Sequence, residues 1–230
     1  MGKLVAYSGF SGSNYLEQPY NPDLDFGTGD FCVMGWVKAP NASSITDTII
    51  DRDGDGPRLR LAVVLGALRF FDGNIFDSGV IPNDVWTKFA AVRRSGQVET
   101  YINGSLVGSV ASTTNFTSTT NKLTVGVDND ETDPLAGSLS LFRISATAPT
   151  AEQIAKIYHD EKVLFQENAQ ATLYGTSDAV TALAHDPVTD LLHVGTSAGR
   201  SVFQGLRRVD NTTDAVGTAI SASNNLVVEE

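Results

Sequence analysis

The sequence predicts an all-β protein: a β-sandwich of two facing antiparallel sheets, with one short helix and a small C-terminal β appendage. Three observations carry that prediction. Apolar segments are short and recur from about residue 3 to 146, where Gly, Asn, Asp and Pro punctuate them at near-regular spacing. Several punctuation points have the chemistry of tight turns. Only one stretch has helical periodicity. Many short strands with turn signals between them read as a sandwich or jelly roll.

The strands are expected, in order, at 31–38, 47–51, 58–64, 67–71, 86–94, 97–103, 105–110, 121–127 and 138–145. The first is the apolar run Phe31-Cys32-Val33-Met34-Gly35-Trp36. Asp53-Gly54-Asp55-Gly56 joins 47–51 to 58–64, and Gly66 separates 58–64 from 67–71. Ser95-Gly96 is a tight turn, and Asn103-Gly104 suits a two-residue type I′ hairpin, in which both central residues need φ > 0. The helix follows the last strand. Thr150 at the N-cap with Gln153 three residues on is a capping box, each partner satisfying a backbone N–H of the other. Ile154, Ile157 and Tyr158 then form one apolar stripe for docking on a sheet, and the helix should stop by about Lys162.

Two quoted stretches hold most of this information, WTKFAAVRRSGQVETYINGSLV from Trp86 and VGVDNDETDPLAGSLSLFRISATAPTAEQIAKIYHDEK from Val125. Their order of strand, hairpin, acidic loop, Gly-led strand and capped helix resembles the laminin-G-like branch of the concanavalin A-like lectin/glucanase jelly rolls. The resemblance covers about residues 1–162 and implies a jelly-roll domain over 1–164. It leaves function open, since such folds host sugar binders, glycan hydrolases and adhesive modules alike.

From residue 165 the character changes. Strands are expected only at 180–185, 190–195 and 200–209, and VTALAHDPVTDLLHVGTSAGRSVFQGLRRV resembles one blade of a β-propeller. No second copy follows, so a propeller cannot close. The tail from Asp210 to Glu230 is polar and reads as loose by composition. A lone three-stranded sheet has two open edges and is marginal alone, which makes 165–230 an expected assembly segment.

Composition narrows the function classes. With 230 residues, 41% hydrophobic and 19% charged, the chain is globular and large enough for a sizeable core. A net charge of −11 argues against nucleic acid and against anionic membrane surfaces. Cys32 is the one cysteine, so no intrachain disulfide is possible, and its apolar run implies a buried, inert thiol. No secretory signal or membrane span is visible, so synthesis in a cytoplasm is expected. The glycosylation patterns at Asn41, Asn103, Asn115 and Asn211 then read as turn residues.

Glycan hydrolysis needs two carboxylates flanking the scissile bond. The laminarinase-type relatives implied by the resemblance carry a Glu-x-Asp-x-x-Glu pattern, which is absent here. None of the eight glutamates has a partner four or five residues away on an expected strand. Nor does a Gly-x-Ser-x-Gly elbow occur. The chain therefore reads as a non-enzyme.

Calcium has two candidate loops. Asp51-Arg52-Asp53-Gly54-Asp55-Gly56 matches the first half of an EF-hand loop, but Ala62 holds the twelfth position where a bidentate glutamate belongs. Asp128, Asp130 and Asp133 cluster in the second loop, at the rim position that the resemblance associates with calcium; solvated turn residues are the alternative.

For sugar contact, Phe71, Asp72, Asn74, Phe76 and Asp77 combine aromatic rings with hydrogen-bonding neighbours near a loop. Tyr15, Tyr20 and Phe116 are further loop aromatics, whereas Trp36 and Trp86 read as core. In the appendage, His185 and His193 fall on neighbouring strands, where they could share an intersubunit metal or simply be hydrogen-bonded. Arg207 and Arg208 form a basic pair suited to an intersubunit salt bridge.

The appended segment also resembles sequences from tailed-bacteriophage virion proteins. Together these features predict a non-enzymatic virion surface protein made in the host cytoplasm, on a head decoration, fibre or tail. It would be a homotrimer contacting other virion proteins through 165–230, with its jelly roll able to bind host cell-surface glycans. The rival readings are a bacterial carbohydrate-binding or glucanase-like module and a purely architectural clamp.

Overall fold

The structure, a computed structural model, describes residues 6–40, 46–165, 173–177, 179–205, 207–224 and 226–229; the Asn41 glycosylation pattern lies outside these. The chain divides into two compact units, Met1–Lys162 and Val163–Glu230. Among the described residues no helix is long and apolar enough to cross a membrane.

The first unit is an all-β sandwich of two open, antiparallel six-stranded sheets, with one helix. Its strands are β1 (Tyr7–Ser8), β2 (Leu16–Gln18), β3 (Phe31–Lys38), β4 (Thr46–Asp53), β5 (Leu59–Val64), β6 (Ala67–Phe71), β7 (Ile75–Ser78), β8 (Thr87–Arg94), β9 (Gln97–Ile102), β10 (Ser105–Ala111), β11 (Lys122–Val125) and β12 (Ser138–Ser145). The first sheet runs β1-β12-β3-β8-β9-β10 and the second β2-β11-β4-β5-β6-β7. All nine expected strands occur; β1, β2 and β7 were not expected. They have two to four residues each, too few for an alternation to register.

Alternation sorts the side chains. Phe31, Val33 and Val37 of β3 and Phe89 and Ala91 of β8 point into the core, where they meet Leu59, Leu61, Val63, Leu68 and Phe70 of the second sheet. A bulge between Thr48 and Ile50 changes the parity of β4. Ile49 and Ile50 are both in the core, and Asp51 beyond them faces outward. Two arginines are wholly enclosed. Arg93 lies 4.9 Å from the ring centres of both Phe31 and Phe116 and donates to the carbonyls of Gly27, Gly29 and Thr114. Arg52 donates to Asp25 and to the Phe116 carbonyl.

Helix α1 (Ala151–Glu161) carries the expected capping box: Thr150 N–H donates to Gln153 Oε1 at 2.8 Å, and Gln153 N–H to Thr150 Oγ1 at 3.3 Å. It packs on the outer side of the first sheet, with Ile154 against Cys32, Met34, Ala90, Val92 and Tyr101. The Asn103-Gly104 turn has φ of 50° and 80°, as a type I′ turn requires. A Cβ on Gly104 would come within 3.1 Å of Ala155 Cα, so only glycine admits the helix this close. Trp36 is buried as expected, but in this helix-covered layer, stacked on Tyr158. Burial pushes the Cys32 thiol up to about 12, which makes it inert.

The second unit is an up-and-down sheet of four strands, β13 (Val180–Asp186), β14 (Leu191–Thr196), β15 (Gly199–Gln204) and β16 (Arg207–Asn211), with a hairpin of β17 (Ile220–Ser223) and β18 (Leu226–Glu229). Two expectations are corrected. The single strand at 200–209 is two, on either side of a left-handed Gly205 (φ 60°). The tail read as loose forms a hairpin, because Val216, Ile220 and Val227 give it an apolar side that packs on Ala182 and Ala184.

Candidate functional site

The two sheets turn very different outer faces away from the core. That of the first is covered by α1. That of the second presents, in register across the strands, Glu17, Thr124, Asp51, Arg60, Phe71 and Ile75, with Ala62, Arg69 and Asp77 in a neighbouring row. The hairpin at Leu65-Gly66 sets this alignment, pairing Val64 with Ala67 and hence Arg60 with Phe71 and Ala62 with Arg69.

Part of the second face is roofed by the acidic loop that follows β11. Asn129 N–H donates to Asp51 Oδ2 at 3.0 Å, and its side-chain amide donates to the Asp51 carbonyl. The rest is open and forms a cleft of about 170 Å³ lined by Thr46, Arg58, Arg60, Arg69, Phe71 and Ile75. Each guanidinium is paired with carboxylates, Asp53 and Asp128 lying 3.6 and 3.7 Å from Arg58 and Asp128 3.9 Å from Arg60 besides the closer partners. Arg58 Nε donates to Asp51 Oδ1 at 2.8 Å, and its Nη2 to Oδ2. Arg60 Nη2 donates to Asp133 at 2.9 Å and to Thr48 Oγ1. Arg69 grips Asp77 with Nε at 2.6 Å and Nη2 at 2.8 Å. Hydrogen bonding to Asp77 raises the Arg69 pKa and, reciprocally, holds the Asp77 carboxyl below its usual range. Arg60 Nε is buried without a hydrogen-bond partner.

The residues expected to contact sugar separate. Phe71 lines the cleft, and Asp77 serves it by orienting Arg69. Asp72 instead points inward, where its carboxylate accepts from Ser112 and Thr114 hydroxyls, and its backbone is bonded to Asn74. Phe76 packs against the core. The strand period explains this split, since neighbours in sequence leave opposite faces. Of the other loop aromatics, Phe116 is fully buried, Tyr20 donates to Asp25 and Tyr15 to Glu131. Arg58, Arg60 and Arg69 were missed. Their signal was in the sequence as Arg-x-Arg and Arg-x-Phe on two strands joined by a two-residue turn.

In the acidic loop, Asp128 accepts from Thr132 N–H at 2.6 Å and from its hydroxyl at 2.9 Å. Asp133 pairs with Arg60, while Asp130 is exposed beside a separate depression lined also by Asp53 and Lys122. Among the described residues no three His, Cys, Asp or Glu side chains converge as a metal site. In the other candidate loop, Asp51 is taken by Arg58, and Asp55 accepts from Ser118, Thr119 and Thr120, which hold its carboxyl below the usual range.

In the second unit, His193 aligns with Ala184 and His185 with Leu192, so the two imidazoles leave opposite faces and do not meet. His185 lies 3.0 Å from Asp190; His193 is buried, and burial pulls its pKa down, helped by Arg200. Arg208 stacks over Tyr174 and Arg207 is exposed.

The profile of the concanavalin A-like lectin/glucanases superfamily matches residues 10–155. No curated protein sequence matches the chain. Among solved structures it is similar to a Bacteroides ovatus protein assigned to carbohydrate binding (TM-score 0.53, 15% identity), over 67% of this chain and 47% of that one. It is similar to the heptameric SAP-like pentraxin of Limulus polyphemus (TM-score 0.51, 16% identity), over 66% of this chain and 80% of the pentraxin. The Ruminococcus gnavus IT-sialidase CBM40 bound to α2,3-sialyllactose is also similar (TM-score 0.51, 10% identity), over 68% of this chain and 100% of the module. At these identities the likeness is one of fold. The chain spans less than half the length of the Bacteroides protein.

Proposed function

Because the chain belongs to the concanavalin A-like lectin/glucanases superfamily, we propose that its first unit is a non-catalytic glycan-binding module whose ligand lies on the open outer face of the second sheet. One observation carries this reading. The cleft sets an apolar wall, Phe71 and Ile75, beside side-chain donors fixed on paired strands. A pyranose has the matching character, with C–H faces for stacking and an equatorial rim of oxygens. Rigid placement matters because a site on strands costs little ordering on binding. The cleft lining contains no carboxylate, whereas glycoside hydrolysis uses two, roughly 5–9.5 Å apart. Carbohydrate binding by the Bacteroides and Ruminococcus proteins agrees with the reading.

A glycan array probed with the full chain tests it. Binding is expected, and Phe71→Ala should weaken it about tenfold, a loss of about 1.4 kcal/mol. An array without a ligand rejects the glycan reading and favours a purely architectural role.

The finer proposal is that the protein works on a bacteriophage virion surface, as a homotrimer assembled through Val163–Glu230. What supports it is the surface of that unit. Leu183, Val188, Leu192, Leu226 and Val228 are exposed, and β13 and β16 are edge strands. Burial by neighbouring copies would remove both liabilities. Solution mass of the full chain and of a chain ending at Lys162 decides the matter: trimer and monomer are expected. Two monomers that both bind glycan would favour the rival reading of a bacterial carbohydrate-binding module. Calcium at Asp128, Asp130 and Asp133 is a separate proposal, in which the ion competes with Arg60 for Asp133. It predicts a higher Tm in calcium than in chelator.

A further inference from the structure

We infer that the cleft of the second sheet selects a saccharide bearing a single acidic group, a carboxylate or a sulfate ester, which Arg58, Arg60 and Arg69 receive while Phe71 supports the ring. The inference rests on the glycan-binding reading and narrows it to a substrate class.

The donors and acceptors of the cleft do not suit a neutral sugar. Its polar lining is three guanidinium groups and one hydroxyl, that of Thr46. A sugar hydroxyl must donate one hydrogen bond as well as accept, and a guanidinium has no acceptor to offer. A neutral ring placed here can only accept from the arginines and must turn most of its O–H groups to water. A carboxylate or sulfate accepts only, and its oxygens match the planar fork of an arginine.

The donors are also in surplus and already aimed. A guanidinium has five N–H bonds. Arg58 and Arg69 spend Nε and Nη2 on Asp51 and Asp77, and Arg60 spends Nη2 on Thr48 and Asp133. None of these bonds involves Nη1. Arg60 Nε has no partner either, but it is enclosed, so the donors open to a ligand are the Nη1 groups. The carboxylates therefore orient the arginines and stay out of the cleft lining.

Scale and charge narrow the class further. A space of about 170 Å³ is on the scale of one sugar unit, whose neighbours would lie outside the cleft. Asp51, Asp53, Asp77, Asp128 and Asp133 all pair with these arginines, so the cleft offers directed donors and no net positive charge, which on a protein of net charge −11 disfavours extended polyanions.

The test measures affinity of the full chain for lactose, lactose carrying one sulfate on galactose, and lactose extended by one glucuronic acid. At least one charged form should bind about tenfold or more tightly than lactose. Which one does so separates sulfate from carboxylate. Arg69→Gln should weaken the preference severalfold, since Arg58 and Arg60 remain, and Asp77→Asn, whose amide oxygen can still accept one hydrogen bond from Arg69, should weaken it less. Equal affinity for charged and neutral forms overturns the acidic-group inference and leaves the glycan reading standing. A preference left undiminished by Arg69→Gln overturns the assignment to this cleft. No binding of any of the three overturns the acidic-group inference, while the glycan array decides the glycan reading separately.

Discussion

The outer faces of the two sheets arise from the same alternation of side chains, yet one is closed and the other open. On the first sheet, Trp36, Lys88 and Arg143 converge on Glu161 at the end of α1. Trp36 Nε1 donates to its carboxylate at 2.7 Å, Lys88 Nζ donates at 2.8 Å, and Arg143 Nη2 donates as well. On the second sheet, arginines and carboxylates pair in comparable geometry, but among the described residues no helix covers the β5–β7 side. The difference shows what buried charge does on this fold. On the closed face one carboxylate holds a helix down over an apolar layer. On the open face several carboxylates hold the guanidinium groups in place and leave their Nη1 donors free of hydrogen bonds.

The largest effect should therefore come from the closed face. Glu161→Gln leaves Lys88, with a side chain only 1% exposed, as an unneutralised charge beneath the helix. Removing one partner of a buried pair costs about 3 kcal/mol or more. Chemical denaturation should show that loss. A change below about 1 kcal/mol would mean that α1 is held by its apolar stripe alone, and the comparison between the faces would fail.

A smaller effect should follow pH. Burial pushes the Glu161 carboxyl up, but the hydrogen bonds from Lys88 and Trp36 and the Lys88 charge outweigh it and hold the group below its ordinary value of 4.5. A depressed carboxyl contributes stability that is complete above the unfolded-state value and is lost as pH falls through the folded one. Wild-type stability should accordingly decline below about pH 4.5, and Glu161→Gln should flatten that part of the curve. Parallel curves for the two proteins would place the acid sensitivity elsewhere.

The closed face was more legible in the sequence than the open one. Thr150, Gln153 and the stripe Ile154, Ile157 and Tyr158 are local, and a capping box with helical spacing reads directly. The latch beneath the helix was not legible: Glu161 meets Lys88 from 73 positions away. On the open face, Arg60, Arg69 and Phe71 could have been aligned from the Leu65-Gly66 hairpin, because a two-residue turn fixes register. The Asp51 and Asp133 that orient Arg58 and Arg60 could not. Asp51 faces outward only because of the bulge at Thr48–Ile50, and Asp133 reaches Arg60 from a loop. Nothing in the order Thr-Asp-Thr-Ile-Ile-Asp announces a bulge, since either parity leaves an isoleucine inside. In the second unit the polar tail concealed a hairpin because Val216 and Ile220 find their apolar partners only in β13 and β14.

The smallest expected effect is the mirror of the largest. Arg69→Gln removes one partner of an ion pair as Glu161→Gln does, but its carboxylate, Asp77, is 42% exposed and remains solvated when the arginine is gone. An exposed pair contributes about 0–1 kcal/mol, so the Tm of this variant should stay within about 4 °C of wild type. Asp51, by contrast, has no solvent exposure, so Arg58→Gln would strand a buried charge and is the wrong variant for probing ligands. A large drop in Tm for Arg69→Gln would show that the open face is a structural ladder like the closed one. A Tm that holds while ligand preference weakens would make the open face a site.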